Sequence, residues 1–227
     1  MRIALVDKKK YSSTNLKKQL KKYNFKIVNK NPKIVISFGG DGTFFISERL
    51  FPKIPKLLIK DSKVCHLCSI APYSHILKQL KNKSYAKENC IKLQLKNLKA
   101  VNDIVIRSKN QFEALRFKLK VGNKMYKDEF IGDGLVVATP YGSTGYFKSI
   151  TRKRFSKGKI GIAFNNPTSQ TKPIIVPDNK QIQVKITRGI ATVSADNSQK
   201  ILTFKKNSKI TIKKSKDITT IIRIKGH

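Results

Sequence analysis

The feature that most constrains the fold is a change in the spacing of apolar residues near residue 85. Before this point, short apolar runs such as residues 3–6 and 34–36 alternate with segments of helical spacing. From about Cys90 onward, apolar and polar residues alternate, at 91–95, 101–106, 112–121, 182–186 and 210–212. The first part therefore predicts an α/β arrangement, and the second predicts a mostly antiparallel β arrangement.

This change predicts two domains and a terminal segment. A chain of 227 residues exceeds the usual size of one domain. We expect an α/β domain over 1–85 and an all-β domain over 86–207 that forms a sandwich or a folded sheet, with turn signals such as Gly122-Asn123 between strands. The apolar, β-branched end of the segment 208–227 can pair with either domain, and we expect it to pack back on the first.

The first of two glycine-rich motifs is Ser-Phe-Gly-Gly-Asp-Gly-Thr at residues 37–43. It follows a predicted buried strand and precedes a predicted helix, so Asp41 would lie where backbone amides favour anions. The surrounding residues that permit positive φ and close ligand approach are Gly39, Gly40 and Gly42. A structural strand-to-helix turn is the simpler alternative, but this composition favours a phosphate-binding turn with a carboxylate that accepts a proton.

The second motif begins with Gly-Asp-Gly at 132–134 and continues through an apolar run, Thr-Pro, and the hydroxyl-rich segment 142–146. We expect Asp133 to lie at the head of a buried strand. The small hydroxyl residues and Tyr146 after that strand suit hydrogen bonding to a base and stacking on it. A polar loop with a core tyrosine is the alternative.

The net charge of +36 would concentrate polyanions such as nucleotides, polyphosphate and RNA around the chain. Many lysines alternate with apolar residues, as at Lys92, Lys96, Lys118 and Lys120, which predicts solvated strand faces. No nucleic-acid fold signature accompanies the charge. We therefore expect a generally lysine-rich surface and only non-specific nucleic-acid binding.

Three cysteines cannot form a fully paired disulfide framework, so we expect a reduced, cytoplasmic protein with no membrane span. Cys65-His66-Leu67-Cys68, with His75 and Cys90 downstream, could be zinc ligands. A single CxxC pair is weak support, and we expect buried free cysteines and no metal cage. No Walker loop, GxGxxG or GxSxG motif occurs.

Together the two motifs resemble the NAD kinase family, whose signature is a GGDGT turn and a downstream GDG, strand, TP, GST and aromatic segment. Asn102-Asp103 before an apolar strand is similar to the family's Asn-Glu pair, with Asp in place of Glu. The resemblance is strongest over 34–43 and 101–146. It implies the NAD kinase fold, with an N-terminal Rossmann-like α/β domain and a C-terminal, sandwich-like β domain. It also implies transfer of phosphate from ATP or polyphosphate, with Mg²⁺, to the adenosine ribose 2′-hydroxyl of NAD.

The resemblance also implies roles for individual residues and a homodimer or homotetramer. Asp41 would be catalytic, accepting or orienting the proton of the 2′-hydroxyl. The residues expected to bind the nucleotides are Gly39, Gly40, Gly42 and Thr43 around the phosphates, Asn102 and Asp103 at the adenine and ribose, Thr144 and Tyr146 at the adenine, Asp133 at the nicotinamide end, and Asp196 in a late Ser-x-Asp turn.

The chain departs from the family pattern after the first motif. A Gly-x-Asn-x-Gly segment is usual there, whereas residues 57–63 read Leu-Leu-Ile-Lys-Asp-Ser-Lys. Two alternatives stay open. The missing segment motivates a kinase of the same superfamily with a lipid or other hydroxyl acceptor, and the net charge of +36 motivates a non-catalytic polyanion-binding protein on the same scaffold.

Overall fold

The computed structural model describes residues 1–8, 13–63, 65 and 68–224. The chain divides into two compact units. Unit 1 contains residues 1–90 together with the last strand residues from 218 onward, and unit 2 contains residues 91–217. Helices in the described part of the chain are too short and too polar for any of them to cross a membrane.

Unit 1 is an α/β unit. Its elements are β1 (Arg2–Asp7), α1 (Thr14–Lys22), β2 (Lys26–Ile27), β3 (Ile34–Gly39), α2 (Asp41–Leu50), β4 (Lys56–Lys60) and α3 (Tyr73–Lys81). The strands are parallel in the order β2-β1-β3-β4, and the end of β15 (Lys209–Ile224) pairs with β4 in parallel through Ile221 and Ile222. The terminal segment thus completes this sheet.

Both faces of strand β3 are buried, so the sheet needs helices on both of its sides. All six of its residues are buried, which is the pattern of a parallel strand covered on both faces. Ile34, Ile36 and Phe38 join one apolar cluster, which also contains the buried positions of α1 and α3, while Val35 joins a second cluster against Ile46. The continuous apolar run therefore delivers the chain to the first glycine-rich motif at a fixed position.

Helix α2 is held on the sheet by a buried ion pair. Lys56 in β4 is fully buried and forms a salt bridge with Glu48, and its Nζ donates to the carbonyl of Phe51 at 2.7 Å. A buried charge requires such partners, because desolvating it alone is costly. The pair fixes the end of α2 opposite to Asp41.

Unit 2 is an antiparallel β unit. Its elements are the end of β5 (Tyr85–Leu95), β6 (Leu98–Ala100), β7 (Asp103–Ser108), β8 (Leu115–Val121), β9 (Lys124–Ala138), a 3₁₀ turn (Gly142–Thr144), α4 (Tyr146–Thr151), β10 (Lys159–Pro167), β11 (Ile174–Pro177), β12 (Ile182–Arg188), β13 (Ala191–Ala195), β14 (Leu202–Phe204) and the start of β15. One path of paired strands runs β14-β13-β7-β9-β8-β12-β15, and β10 pairs with β9 and β11.

Strand β9 lies between two apolar clusters. Leu135 and Val137 belong to the main core, whereas Val136 and Ala138 belong to a smaller cluster that contains Phe147 of α4. Successive side chains of a strand point to opposite faces, so the unbroken apolar run is buried on both sides. The main core also contains stacked rings from β8, β9 and β10, those of Phe117, Phe130 and Phe164.

Several sequence expectations need correction. Strand β8 begins at Leu115, and Phe112 is 95% exposed rather than part of a strand. Strand β10 was missed, because its buried residues 160–164 do not alternate with polar ones. The expected solvated lysines include Lys92, which is buried. The aromatic residues Phe25, Phe44 and Phe45 are buried.

Candidate functional site

Asp41 is the first residue of α2 and follows β3 directly after Gly40. It lines a cavity of about 560 Å³ together with residues 38–40, 42 and 43 of the first motif. A helix N-terminus carries partial positive charge from its backbone N–H groups, and it attracts anions. This position therefore combines a carboxylate with an environment suited to phosphate.

The glycines of this motif have different roles. Gly39 alone has positive φ, at 151°, and a Cβ there would lie 2.3 Å from the Thr43 Oγ1. Gly40 has an extended backbone, and Gly42 lies inside α2. Thr43 lines the cavity but is 4% exposed. Of the three glycines that permit positive φ, Gly39 alone adopts it, and all three line the cavity.

Charged residues that sequence reasoning did not assign also line this cavity. They are Asp7, Lys8, Asp61 and Lys63. Asp61 follows β4, and its N–H donates to the carbonyl of Gly39 at 3.0 Å. Burial raises the pKa of Tyr73, and the negative charge of Asp61 adds to this rise. The sequence contained a signal for Asp61, because residues that follow the carboxyl ends of neighbouring parallel strands meet at one edge of a sheet.

Cys65 and Cys68 form a disulfide bond, so the expectation of free cysteines is wrong for this pair. The Cys65 Sγ lies 3.7 Å from the Asp41 Oδ1, and the Cys68 Sγ lies 3.6 Å from the carbonyl oxygen of Gly39. Cys90 is free. His66 lies outside the described residues, within which no cluster of potential metal ligands occurs.

In unit 2, Asn102 and Asp103 form a tightly bonded turn before β7. The Asn102 Nδ2 donates to the Asp103 Oδ2 at 2.7 Å. The carboxylate of Asp196 accepts hydrogen bonds from the N–H groups of Val101, Asn102 and Asp103 at 2.9, 2.8 and 3.2 Å. Asp196, expected to bind nucleotide, thus holds the backbone of the turn in place.

The carboxyl group of Asp103 has a strongly raised pKa. Burial raises the pKa of Asp103 to about 7, and the negative charge of Asp196 adds to the rise, while the hydrogen bond from Asn102 opposes it. Near neutral pH, this group can therefore exchange a proton. Its exposure of 5% leaves Asn102 as the more accessible member of the pair.

Gly142 allows the second motif to approach this turn. A Cβ on Gly142 would lie 2.0 Å from the carbonyl oxygen of Asn102. A Cβ on Gly145 would lie 3.3 Å from the Asn102 Nδ2. The hydroxyl of Thr139 donates to the carbonyl of Val101. The structure thus brings the hydroxyl-rich segment and the Asn102-Asp103 pair together in unit 2.

Asp133 lies in the interior of β9 and is exposed, so its expected position at the head of a strand is wrong. The Asn166 Nδ2 donates to its Oδ2 at 3.4 Å. The flanking Gly134 has φ of 140°, and a Cβ there would lie 2.0 Å from the carbonyl oxygen of Ile106. These glycines serve close strand packing and do not form a turn.

Thr144 and Tyr146 follow β9 through the 3₁₀ turn. The Thr144 Oγ1 donates to the carbonyl of Tyr141 at 3.1 Å. The hydroxyl of Tyr146 accepts a hydrogen bond from the Arg107 Nη2 at 2.8 Å and donates to the Asn165 Oδ1 at 3.1 Å. The ring of Tyr146 is partly exposed and is held at its hydroxyl end, which suits a stacking surface.

The fold as a whole is that of NAD kinases. The chain is similar to an NAD kinase from Archaeoglobus fulgidus that was crystallised in complex with ATP, with a TM-score of 0.88 and 25% identity over 99% of this chain and 94% of that one. The fold is also similar to that of yeast NADH kinase complexed with NADH, with a TM-score of 0.81 and 14% identity over 98% and 83%.

The sequence comparisons agree with the fold. Residues 101–224 match the family model of the ATP-NAD kinase C-terminal domain. The NAD kinase of Sulfurisphaera tokodaii is 31% identical over 88% of this chain and 84% of its own length, and that of Streptococcus thermophilus is 30% identical over 77% and 70%. The chain belongs to the NAD kinase family, and the sequence prediction of a phosphotransferase of this family is confirmed.

Proposed function

We propose that this chain phosphorylates the adenosine ribose 2′-hydroxyl of NAD to give NADP, and that Asp41 accepts the hydroxyl proton. The observation that carries the proposal is the position of Asp41 at the start of α2, lining a cavity that also contains Lys8 and Lys63. Phosphoryl transfer depends mainly on positioning and on neutralisation of charge. A carboxylate, a helix start and two cationic side chains supply these requirements.

In the proposed reaction, the 2′-oxygen forms a bond to the terminal phosphorus of the donor as the bond from that phosphorus to the bridging oxygen breaks. The proton of the hydroxyl passes to the Asp41 carboxylate, and ADP leaves when ATP is the donor. The lysine side chains attract the donor's phosphates. General base catalysis of this kind contributes about 10²–10⁴-fold to a rate.

A divalent cation fits the residues present. Mg²⁺ usually binds one or two carboxylates together with substrate phosphates. The cavity offers the carboxylates of Asp41, Asp61 and Asp7, while the described residues contain no complete protein cage. When bound, Mg²⁺ would neutralise phosphate charge, and Asp7 and Asp61 are the residues that would hold it, which leaves Asp41 to accept the proton.

ATP is the donor that we favour, because the related Archaeoglobus fulgidus enzyme was crystallised with ATP. Polyphosphate is a second candidate, supported by the net charge of +36. The related yeast enzyme was crystallised with NADH, so the reduced dinucleotide belongs in the same assay.

For unit 2, we propose that Asn102 and the partly exposed side chain of Tyr146 contact the adenosine part of NAD. The anchored hydroxyl of Tyr146 and the bonded Asn102-Asp103 turn support this role. Contacts from Thr144 to the adenine and from Asp133 to the nicotinamide end stay predictions. Asp196 acts as a positioning residue in this proposal.

The proposal extends to the domain types, the domain boundaries and the subunit number of the protein. We propose that unit 1 serves as a Rossmann-like domain and unit 2 as a sandwich-like domain, with functional boundaries at 1–85, 86–207 and 208–227. A homodimer or homotetramer, a cytoplasmic location and non-specific nucleic-acid binding stay predictions. Light scattering on the purified chain would measure the subunit number.

The test is an endpoint assay with NAD, Mg²⁺ and either ATP or polyphosphate, in which an NADP-specific dehydrogenase reads the product. We expect the parent protein to form NADP and Asp41→Asn to lose activity. Asp178→Asn is the matched control, because it removes a carboxylate that is paired with Lys214 on the surface of unit 2.

Equal activity of parent and Asp41→Asn would disprove the role of Asp41. A phosphoryl transfer screen with NAD, diacylglycerol and sphingoid bases tests the acceptor. Labelling of a lipid alone would disprove the proposed acceptor. No transfer to any acceptor, together with salt-dependent RNA binding, would favour a binding role.

A further inference from the structure

The disulfide of Cys65 and Cys68 lies against the first glycine-rich motif. Its sulfurs are 3.7 Å from the Asp41 Oδ1 and 3.6 Å from the carbonyl oxygen of Gly39. Both cysteines are partly exposed, so a small reagent can reach them. A disulfide is thus next to the carboxylate to which the proposed function gives the central role.

Hydrogen bonds hold the described backbone before and after the pair. After β4, Asp61 is hydrogen-bonded to Gly39, and the chain returns to β4 at Ser69, whose N–H donates to the carbonyl of Leu58 at 2.8 Å. The Lys60 N–H in turn donates to the carbonyl of Ser69 at 3.1 Å. Both ends of the segment that carries the cysteines are therefore bonded to the sheet edge near Asp41.

The oxidation state decides what these sulfurs can do. In a disulfide neither sulfur carries a hydrogen, so neither can donate to a neighbouring oxygen. A thiol is a weak hydrogen-bond donor. At the same separation, the thiol of Cys65 would donate to the Asp41 Oδ1 and compete there with a substrate hydroxyl.

We propose that Cys65 and Cys68 are a reversible thiol–disulfide modification site that controls access to the Asp41 carboxylate, with a dithiol as the reductant. The inference rests on the proposed function of Asp41. One thiolate of the dithiol attacks a sulfur of the pair, the Cys65–Cys68 bond breaks, and a mixed disulfide forms. The second thiolate releases the protein thiolate, so the dithiol loses two electrons and becomes a disulfide, while both cysteines take up protons.

The oxidised form is the more active one in this scheme. A weak hydrogen bond to Asp41 must be broken before the reduced protein can accept the substrate proton. Breaking one such bond lowers the rate by roughly two- to tenfold. The effect falls on kcat more than on the KM for NAD, because the competition is for the atom that accepts the proton.

The experiment compares full-length protein oxidised with diamide and reduced with dithiothreitol. Mass spectrometry after alkylation in denaturant counts the free thiols in each sample, and Cys90 contributes one in both. We expect faster NADP formation by the oxidised parent, the same response in Cys90→Ser, and no response in Cys65→Ala. Equal rates in the two fully converted forms would overturn the proposal.

A second readout does not depend on turnover. The ¹³C resonance of the Asp41 carboxyl carbon, assigned by its loss in Asp41→Asn, is expected to shift on reduction of the parent but not of Cys65→Ala. If the protein forms no NADP in either state but shows this shift, the proposed function is disproved and the modification site is supported. An unshifted resonance after complete reduction would overturn the site itself.

Discussion

The two Gly-Asp-Gly motifs of this chain have the same composition and opposite structural roles. Gly40-Asp41-Gly42 ends a parallel strand and begins a helix, and its carboxylate lines a cavity. Gly132-Asp133-Gly134 continues through a central antiparallel strand, and its carboxylate is exposed beside Asn166. A local motif therefore acquires its chemistry from the elements before and after it.

The glycines of the two motifs also differ in the atoms that they lie against. A Cβ on Gly39 would meet the side chain of Thr43, whereas a Cβ on Gly134 would meet the backbone of Ile106 in the neighbouring strand. In the first motif, the missing side chain lets the chain turn closely over α2. In the second, it lets two paired strands approach each other.

Replacing each aspartate with asparagine is the most direct test of the different roles of the two motifs. We expect Asp41→Asn to lower kcat by about 10²–10⁴-fold, because the proposed proton acceptor is lost. Asp133→Asn should change the rate by less than about tenfold, since its exposed carboxylate has one weak described side-chain bond. Steady-state kinetics measure both variants, and a larger loss in Asp133→Asn would reverse the assignment.

The pH dependence of stability tests the buried carboxyl of unit 2. The pKa of Asp103 is about 7 in the folded protein, against an ordinary value of 3.8. Between these pH values the unfolded chain loses the proton and the folded chain keeps it, so the free energy of unfolding falls as pH rises. This group accounts for a fall of up to roughly 4 kcal/mol.

Urea unfolding across this range compares the parent with Asp103→Asn. The variant should lack this contribution, so that the difference between the two proteins levels off above about pH 7. Carboxyl groups common to both proteins cancel in the difference. Parallel stability profiles would show that Asp103 titrates normally.

Gly134→Ala tests close strand packing. We expect a loss of about 3 kcal/mol or more, because the new Cβ would overlap the Ile106 carbonyl and alanine disfavours a φ of 140°. Gly158→Ala is the matched control, since Gly158 has φ of 80° and no atom within 4 Å of a Cβ. Denaturant unfolding should show a loss of about 1 kcal/mol in the free energy of unfolding for the control. Equal losses in the two variants would show that steric overlap with Ile106 does not contribute.

The smallest expected effect is that of Asp196→Asn. This change leaves one carbonyl oxygen where two carboxylate oxygens accept three N–H groups, which costs about 1–2 kcal/mol. It also removes a negative charge that raises the pKa of Asp103. The loss should therefore be smaller near about pH 8 than near about pH 5. A loss independent of pH would contradict coupling between the two carboxyl groups.

Sequence patterns predicted the elements on which the site depends. The apolar run before Gly39 and the helix after it were both predicted, and β3 and α2 occupy these positions. The same reasoning missed β10, whose buried run lacks alternation, and placed Asp133 at a strand end. Periodicity reports which faces are buried, but it does not report which strand lies alongside.

The sequence by itself determined the family, the α/β and β regions, and the position of Asp41 between a strand and a helix. These features are local in the chain, so spacing and turn residues encode them. Only the tertiary structure decided that Asp61 and Lys63 share the cavity with Asp41, that Cys65 and Cys68 lie against it, and that Asp196 holds the Asn102-Asp103 turn. Such contacts join residues far apart in sequence, and they exist only because strand pairing and core packing bring them together.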